Sequence, residues 1–306
     1  MSLPPDPVPH RLTGVDLAVI AVGVVGVSVA APVAGATAAP ALAVAFWRTA
    51  AGAAFYLPAG VRGLRRRRRT VGPLSRRTVT AALWSGAFLA LHFMLWIPSL
   101  RLTSVTASTA LVTTTPLWVV LIQRLRGRPV SRAVLVGVLV AFGGVLLVTG
   151  VDATVSPTAL LGDAMALAGG AAAAGYSLTA ETARREMSTS SYSAVANSVC
   201  ASLTLVVCLT LGVPLLGFDT VTWVEVAVIA VASQIVGHAL LNLAILRAGA
   251  TTVTLAILLE TPTASLIAWL WLGELPPLLV VPGAVLVLVG LAVVVRARRQ
   301  PAESPA

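Results

Sequence analysis

Stretches of apolar side chains about 20 residues long, the length a helix needs to cross a bilayer, follow one another along almost the whole chain. Ten can be marked out: 15–33, 38–58, 78–99, 103–123, 133–149, 160–179, 191–212, 224–246, 251–271 and 278–295. No stretch shows the alternation over about 10 residues that a closed membrane barrel needs. The pattern predicts an all-α polytopic membrane protein with ten transmembrane helices. The first run follows Arg11 and precedes Ala34-Gly35-Ala36, as a signal peptide would. Its apolar part is long for that role, and it has a counterpart in the second half of the chain, so it is read as a retained span.

Composition agrees: 58% of the 306 residues are hydrophobic and 10% are charged, against about 25% charged in a soluble domain. The net charge of +10 comes from 21 basic residues, all arginine. They lie between the apolar runs, which argues against a nucleic-acid partner. An even number of spans puts both ends on one side. Nineteen arginines fall on that side, Arg101 falls on the other, and Arg48 lies inside a run. Positive charge marks the cytoplasmic face, so both termini are expected there. A lysine-free chain rich in Ala, Val, Leu and Arg suggests a bacterial cytoplasmic membrane. Eight arginines fall in the 62–77 segment, read as a loop between spans, and the run Arg65 to Arg69 is read as a topology determinant that meets anionic lipid headgroups. Cys200 and Cys208 share one helix, too far apart to bridge, and are read as buried hydrophobes. There is no His-Glu-x-x-His, Gly-x-Ser-x-Gly, Walker Gly-Lys-Ser/Thr or Cys-x-x-Cys motif. No enzyme activity, metal or cofactor is therefore expected.

Shifting the chain by 146 positions lays it on itself without gaps. His92 falls on His238, Arg101 on Arg247, Thr115 on Thr261 and Pro116 on Pro262. Gly127 falls on Gly273, Gly137 on Gly283, and Gly144 on Gly290. This predicts a duplication, with a tail at 1–14, one repeat at 15–150, a second at 159–297 and a tail at 298–306. Each repeat carries five spans, an odd number, so the two must insert upside down to each other. Inverted repeats of this kind place a solute site near the midplane between the halves. Gly137, Gly144, Gly283 and Gly290 recur at seven and point to close packing of spans five and ten, or to a homodimer interface.

The most informative run is 251–271, which holds Glu260-Thr261-Pro262 at its middle. A carboxylate at membrane depth is costly and is read as functional by default. Pro262 frees the carbonyl of Leu258. Glu260 is expected to face a cavity and to bind a cationic group or the coupling proton, or else to form a structural ion pair. Arg48 is a possible partner at similar depth. Gln234, His238 and Asn242 recur at four and share a helix face; Phe88, His92 and Trp96 form the matching stripe in the first half. These stripes are read as solute-binding walls, with interhelical hydrogen bonding as the alternative. Tyr176 could stack on a solute ring or pack in the core. Pro116 and Pro262 mark helix breaks that serve as hinges or as static kinks. Thr113, Thr114 and Thr115 stand ready to satisfy freed backbone groups.

The segment Leu258-Leu259-Glu260-Thr261-Pro262 through Trp271-Leu272-Gly273-Glu274 resembles the Leu-Glu-Pro…Leu-Gly-Glu ending of EamA-type members of the drug/metabolite transporter superfamily. Phe46-Trp47-Arg48-Thr49 is similar to that family's aromatic-plus-arginine pattern in the second span, and Gly162-Asp163 to its usual start of the second half. This chain has Gly127-Arg128 where the family often has Gly-Glu, and Thr261 between Glu260 and Pro262. The resemblance implies a solute carrier, with export of amino acids or other small metabolites. Without a phosphate-cradling loop, transport would run on a gradient or by exchange. The rival readings are a channel, which needs a continuous polar path, and a membrane-embedded transferase, which needs clustered acids.

Overall fold

A computed structural model describes residues 12–103, 105–149, 156–273 and 280–297. Among these residues all regular structure is helical. Polar side chains start many of the helices. Thr13 caps α1 (Gly14–Ser28) in a reciprocal box with Asp16. Ser75 caps α4 (Arg76–Ser99), Ser156 caps α8 (Pro157–Arg184), Ser188 caps α9 (Thr189–Thr210) and Asp219 caps α10 (Thr220–Val228). Each side-chain oxygen takes up an amide that the first helical turn leaves without a partner. Among the described residues, five stretches are long and apolar enough to cross a membrane by themselves: Gly14–Ala36, Arg76–Ser99, Pro157–Arg184, Thr189–Thr210 and Thr220–Ile257. Shorter apolar helices span Arg132–Gly144 and Val285–Val294.

Several helices depart from the simple reading of the apolar runs. The first run divides at Val29 into α1 and α2 (Ala30–Ala36). The third helix, α3, runs over Ala41–Thr70, so Arg62 to Arg69 ride on a helix instead of a loop. The α8 helix extends past its apolar stretch to include Glu181 and Arg184. Beyond α10 the chain widens into a π-helical stretch, Ile229–Gly237, before α11 (His238–Ile257). Within α11, Gly249 adopts φ 75° and ψ 159°. That left-handed conformation suits glycine and lets the chain reverse between the eighth and ninth apolar runs in a single step. The link between the halves at 150–155 and the segment 274–279, including Glu274, lie outside the described residues.

The two runs that carry Pro116 and Pro262 are both discontinuous. The first forms α5 (Val105–Val112) and α6 (Thr115–Leu125), and the second ends α11 and restarts as α12 (Glu260–Leu272). In each gap the hydrogen bonds shorten to three-residue reach: Thr114 N to Leu111 O at 3.2 Å, and Leu258 N to Leu255 O at 3.1 Å. Pro116 cannot donate to Val112 O, and the Thr115 hydroxyl does so instead at 2.8 Å.

The most extensive packing joins one half of the chain to the other. α3 lies on α9, α4 on α8, α7 (Arg132–Thr149) on α13 (Val280–Ala297), and α1 on α11 and the π-helical stretch. The α7–α13 pair shows the symmetry at atomic level. A Cβ added at Gly137 would meet Gly290 O at 2.7 Å, and one added at Gly144 would meet Gly283 O at 2.6 Å. Each glycine therefore contacts the repeat mate of the other, which is the relation a pseudo-twofold axis produces between antiparallel helices. These glycine faces are used up within the chain, so a second copy would have to pack elsewhere.

Candidate functional site

The helices line a small, partly open cavity between the two halves. From the first half it is lined by Arg48, His92, Trp96 and Thr115; from the second, by Tyr176, His238, Asn242 and Glu260. Two sequence stripes, one from each half, thus meet across a common space. Gln234 does not line the cavity. It sits behind Arg48, fully buried, and holds it in place. Pro116 and Pro262 do not line it either; they are buried at the starts of α6 and α12.

Arg48 is buried without exposure on α3. Its Nε donates to Gln234 Oε1 at 3.1 Å, and its Nη2 to Ser233 Oγ at 2.7 Å. Gln234 is anchored in turn by donating from Nε2 to Asn197 Oδ1 at 2.8 Å. The guanidinium carbon lies 4.0 Å from the centre of the Phe93 ring, a cation–π contact inside the low-dielectric interior. Its Nη1 has no partner. Both acceptors come from the π-helical stretch, whose wider turn lets two consecutive side chains serve one guanidinium, a feature common at functional sites.

Glu260 opens α12, where the helix N-terminus favours a negative charge. It is buried and lines the cavity, and its carboxylate makes no hydrogen bond or ion pair among the described residues. The possible Arg48–Glu260 ion pair is not formed: the ion pairs among the described residues are Arg67–Glu186, Arg185–Glu181 and Arg247–Asp16. Neutral oxygens and an aromatic face hold the guanidinium on the side of the π-helical stretch, with Nη1 left unpartnered.

The remaining wall is aromatic. His92 stacks on Trp96 at 5.6 Å between ring centres, and its Nδ1 lies 3.0 Å from Gly169 O. Trp96 Nε1 has no partner. His238 meets Phe93 and Tyr176 edge-on at 5.6 and 6.0 Å. Tyr176 and Asn242 hold each other by a hydroxyl–amide exchange at 3.0 and 2.8 Å. Phe93 and Ser233, which contact Arg48, and Asn197, which holds Gln234, are neighbours that the spacing of polar stripes misses. Phe93 is apolar and adjoins His92, Ser233 adjoins Gln234, and Asn197 lies in a different helix. Only the π-helical turn signals Ser233, and nothing in a straight helical reading marks it.

Two repeats packed across their antiparallel helices, with discontinuous helices beside a central cavity, define a membrane carrier construction. The profile of the EamA-like transporter family matches residues 12–150 and again 160–296. The chain belongs to that family, and so to the drug/metabolite transporter superfamily. A solved structure titled only "Crystal structure of protein" matches it with a TM-score of 0.73 at 17% identity, covering 94% of this chain and 99% of that one. That likeness shows the fold. No curated protein matches the chain.

Proposed function

We propose that this protein is a secondary carrier for small zwitterionic metabolites such as amino acids, exporting them by alternating access with proton coupling or exchange. In this reading ten helices cross a bacterial cytoplasmic membrane as two inverted five-helix repeats, with both termini in the cytoplasm. His92, Trp96, Tyr176, His238, Asn242 and Glu260 form the solute chamber, with Gln234 supporting Arg48. One observation carries it: a basic and an acidic side chain, Arg48 and Glu260, lie on the wall of one cavity, and Arg48 Nη1 and the Glu260 carboxyl have no hydrogen-bond partner among the described residues. A solute bearing one anionic and one cationic group would satisfy both at no net change in buried charge. A solute with one charge alone would leave the opposite wall charge uncompensated in low dielectric.

The test is counterflow in proteoliposomes with leucine, 3-methylbutylamine and 4-methylpentanoate, which share a side chain and differ in their charges. Saturable counterflow of leucine, at least tenfold faster than of either singly charged analogue, and its loss in Glu260→Gln, is expected. Non-saturating flux would establish a channel. Equal transport of all three would remove the charge-pair reading.

A further inference from the structure

The pseudo-twofold axis that relates the repeats should relate their polar contacts too, and at one place it does not. At the end of the bundle that holds the start of α1, Arg247 Nη1 lies 3.0 Å from Asp16 Oδ1, joining the end of the eighth apolar run to the start of the first. Asp16 is nearly buried there, held by the Thr13 amide and hydroxyl at 2.9 and 2.7 Å. Nearby, Thr251 Oγ1 donates to Gln123 Oε1 at 3.4 Å, a second polar contact between the repeats at this end, while Ala250 N donates to Glu181 Oε2 at 3.3 Å within the second repeat.

The repeat mate of Arg247 is Arg101, just past the end of α4, and the mate of Asp16 is Gly162, next to Asp163 at the start of α8. These two segments are in contact: a Cβ on Gly162 would lie 2.9 Å from Leu102 Cβ and from Thr103 N. Yet Arg101 turns away. It donates from Nη2 to Thr37 O at 2.9 Å and to Ala39 O, both in the connection between α2 and α3. Asp163 is left with a buried Oδ1 that has no partner. One end of the molecule has its ion pair made; the equivalent end has the acid and the base beside each other and unpaired.

We propose that Arg101 and Asp163 form a second ion pair, made only when the Asp16–Arg247 pair is broken, so that the two act as alternating latches at opposite ends of the carrier. In an inverted-repeat carrier the two repeats exchange conformations during the cycle. The ion pair between the ends of α1 and α11 is then given up as the equivalent pair is made between α8 and α4, whose backbones already touch. Buried carboxylates are costly to leave without partners, so each state satisfies one acid and exposes the need of the other. The equilibrium follows the difference between the two latches, and removing either one shifts it toward the state held by the one that remains. This rests on the alternating-access reading above.

The test does not depend on the solute. Cysteines are placed at 16 and 247 and at 101 and 163 in one chain in which Cys200 and Cys208 are replaced by alanine. The purified protein is treated with a short bis-methanethiosulfonate linker, and linked peptides are quantified by mass spectrometry. Each pair alone is expected to link, and prior linking of 16 to 247 is expected to reduce linking of 101 to 163 at least tenfold. Both links forming together in the same molecules would overturn the proposal, as would failure of 101 and 163 to link under any condition. Because the quadruple change removes both ion pairs, Asp163→Asn alone is measured as well. It is expected to raise the linked fraction of a 16/247 cysteine pair at least threefold at limiting reagent. No change in that fraction would also overturn the proposal. Counterflow that persists while both pairs link together would leave the carrier reading standing and remove only the latches.

Discussion

The guanidinium of Arg48 reaches across the seam between the repeats to Gln234, with Nε donating to Oε1 at 3.1 Å. The contact joins α3 of the first repeat to the π-helical stretch of the second, and it leaves one guanidinium nitrogen unpaired beside the cavity. It is what keeps a full charge tolerable at that depth.

Replacing Gln234 by methionine keeps the volume and removes the acceptor. A hydrogen bond to a charged group contributes about 1.5–3 kcal/mol, and membrane bonds on average less, about 0.6 kcal/mol. Gln234→Met is therefore expected to lower stability by about 1–3 kcal/mol in detergent unfolding. A loss below about 0.5 kcal/mol would mean that Ser233 and Phe93 alone hold the arginine.

The α7–α13 seam makes a sharper prediction. A Cβ at Gly144 would meet backbone, 2.6 Å from Gly283 O and 2.9 Å from Val287 N, whereas one at Gly143 would meet nothing within 4 Å. Gly144→Ala should cost about 1–3 kcal/mol by overpacking. Gly143→Ala should be neutral or gain up to about 1 kcal/mol from helix propensity. Thermal unfolding of the pair checks the contrast, and equal effects would contradict the packing.

Glu186, between α8 and α9, ties three segments together. It accepts from the Ser75 hydroxyl at 2.6 Å, from Ser75 N at 3.1 Å and from Arg67 Nη2 at 3.0 Å. The Ser75 hydroxyl and amide, with Arg67 adding to them, hold its carboxyl below the ordinary value of 4.5. A depressed pKa stabilises the fold above the unfolded value and loses that contribution as pH falls through the folded one. The stability difference between the native chain and Glu186→Gln should thus be constant from neutral pH down to about 5 and shrink at lower pH. A difference that grew on acidification would reverse the sign.

Pro262 denies α12 a backbone donor to Leu258 O, across a gap bridged by short-reach bonds. Pro262→Ala restores the donor and should let the helix run through. Unfolding temperature is expected to hold or rise, while counterflow slows at least fivefold, because the break is where the helix would bend during the cycle. An unchanged rate would make the break a static kink.

Much of the architecture is legible in residue pattern alone: apolar length reports that backbone polar groups in lipid must be satisfied within helices, and the 146-residue self-match reports the two repeats that the family profile matches in turn. Of the residues singled out in the stripes and at Glu260, His92, Trp96, His238, Asn242 and Glu260 line the central cavity, while Phe88, Gln234 and the two prolines do not. What the pattern could not supply is partnership. Arg48 and Glu260 were placed at similar depth, but depth along a helix says nothing of which neighbour a guanidinium meets. Only the packed structure gave Arg48 to Gln234, Ser233 and Phe93 and left Glu260 unpaired. The π-helical register that presents Ser233 with Gln234, the helical continuation through Arg69 and the glycine-to-glycine seam were likewise decided by tertiary contacts. Periodicity fixes the face a residue occupies on its own helix; which helix lies against that face is set by close packing among all of them at once.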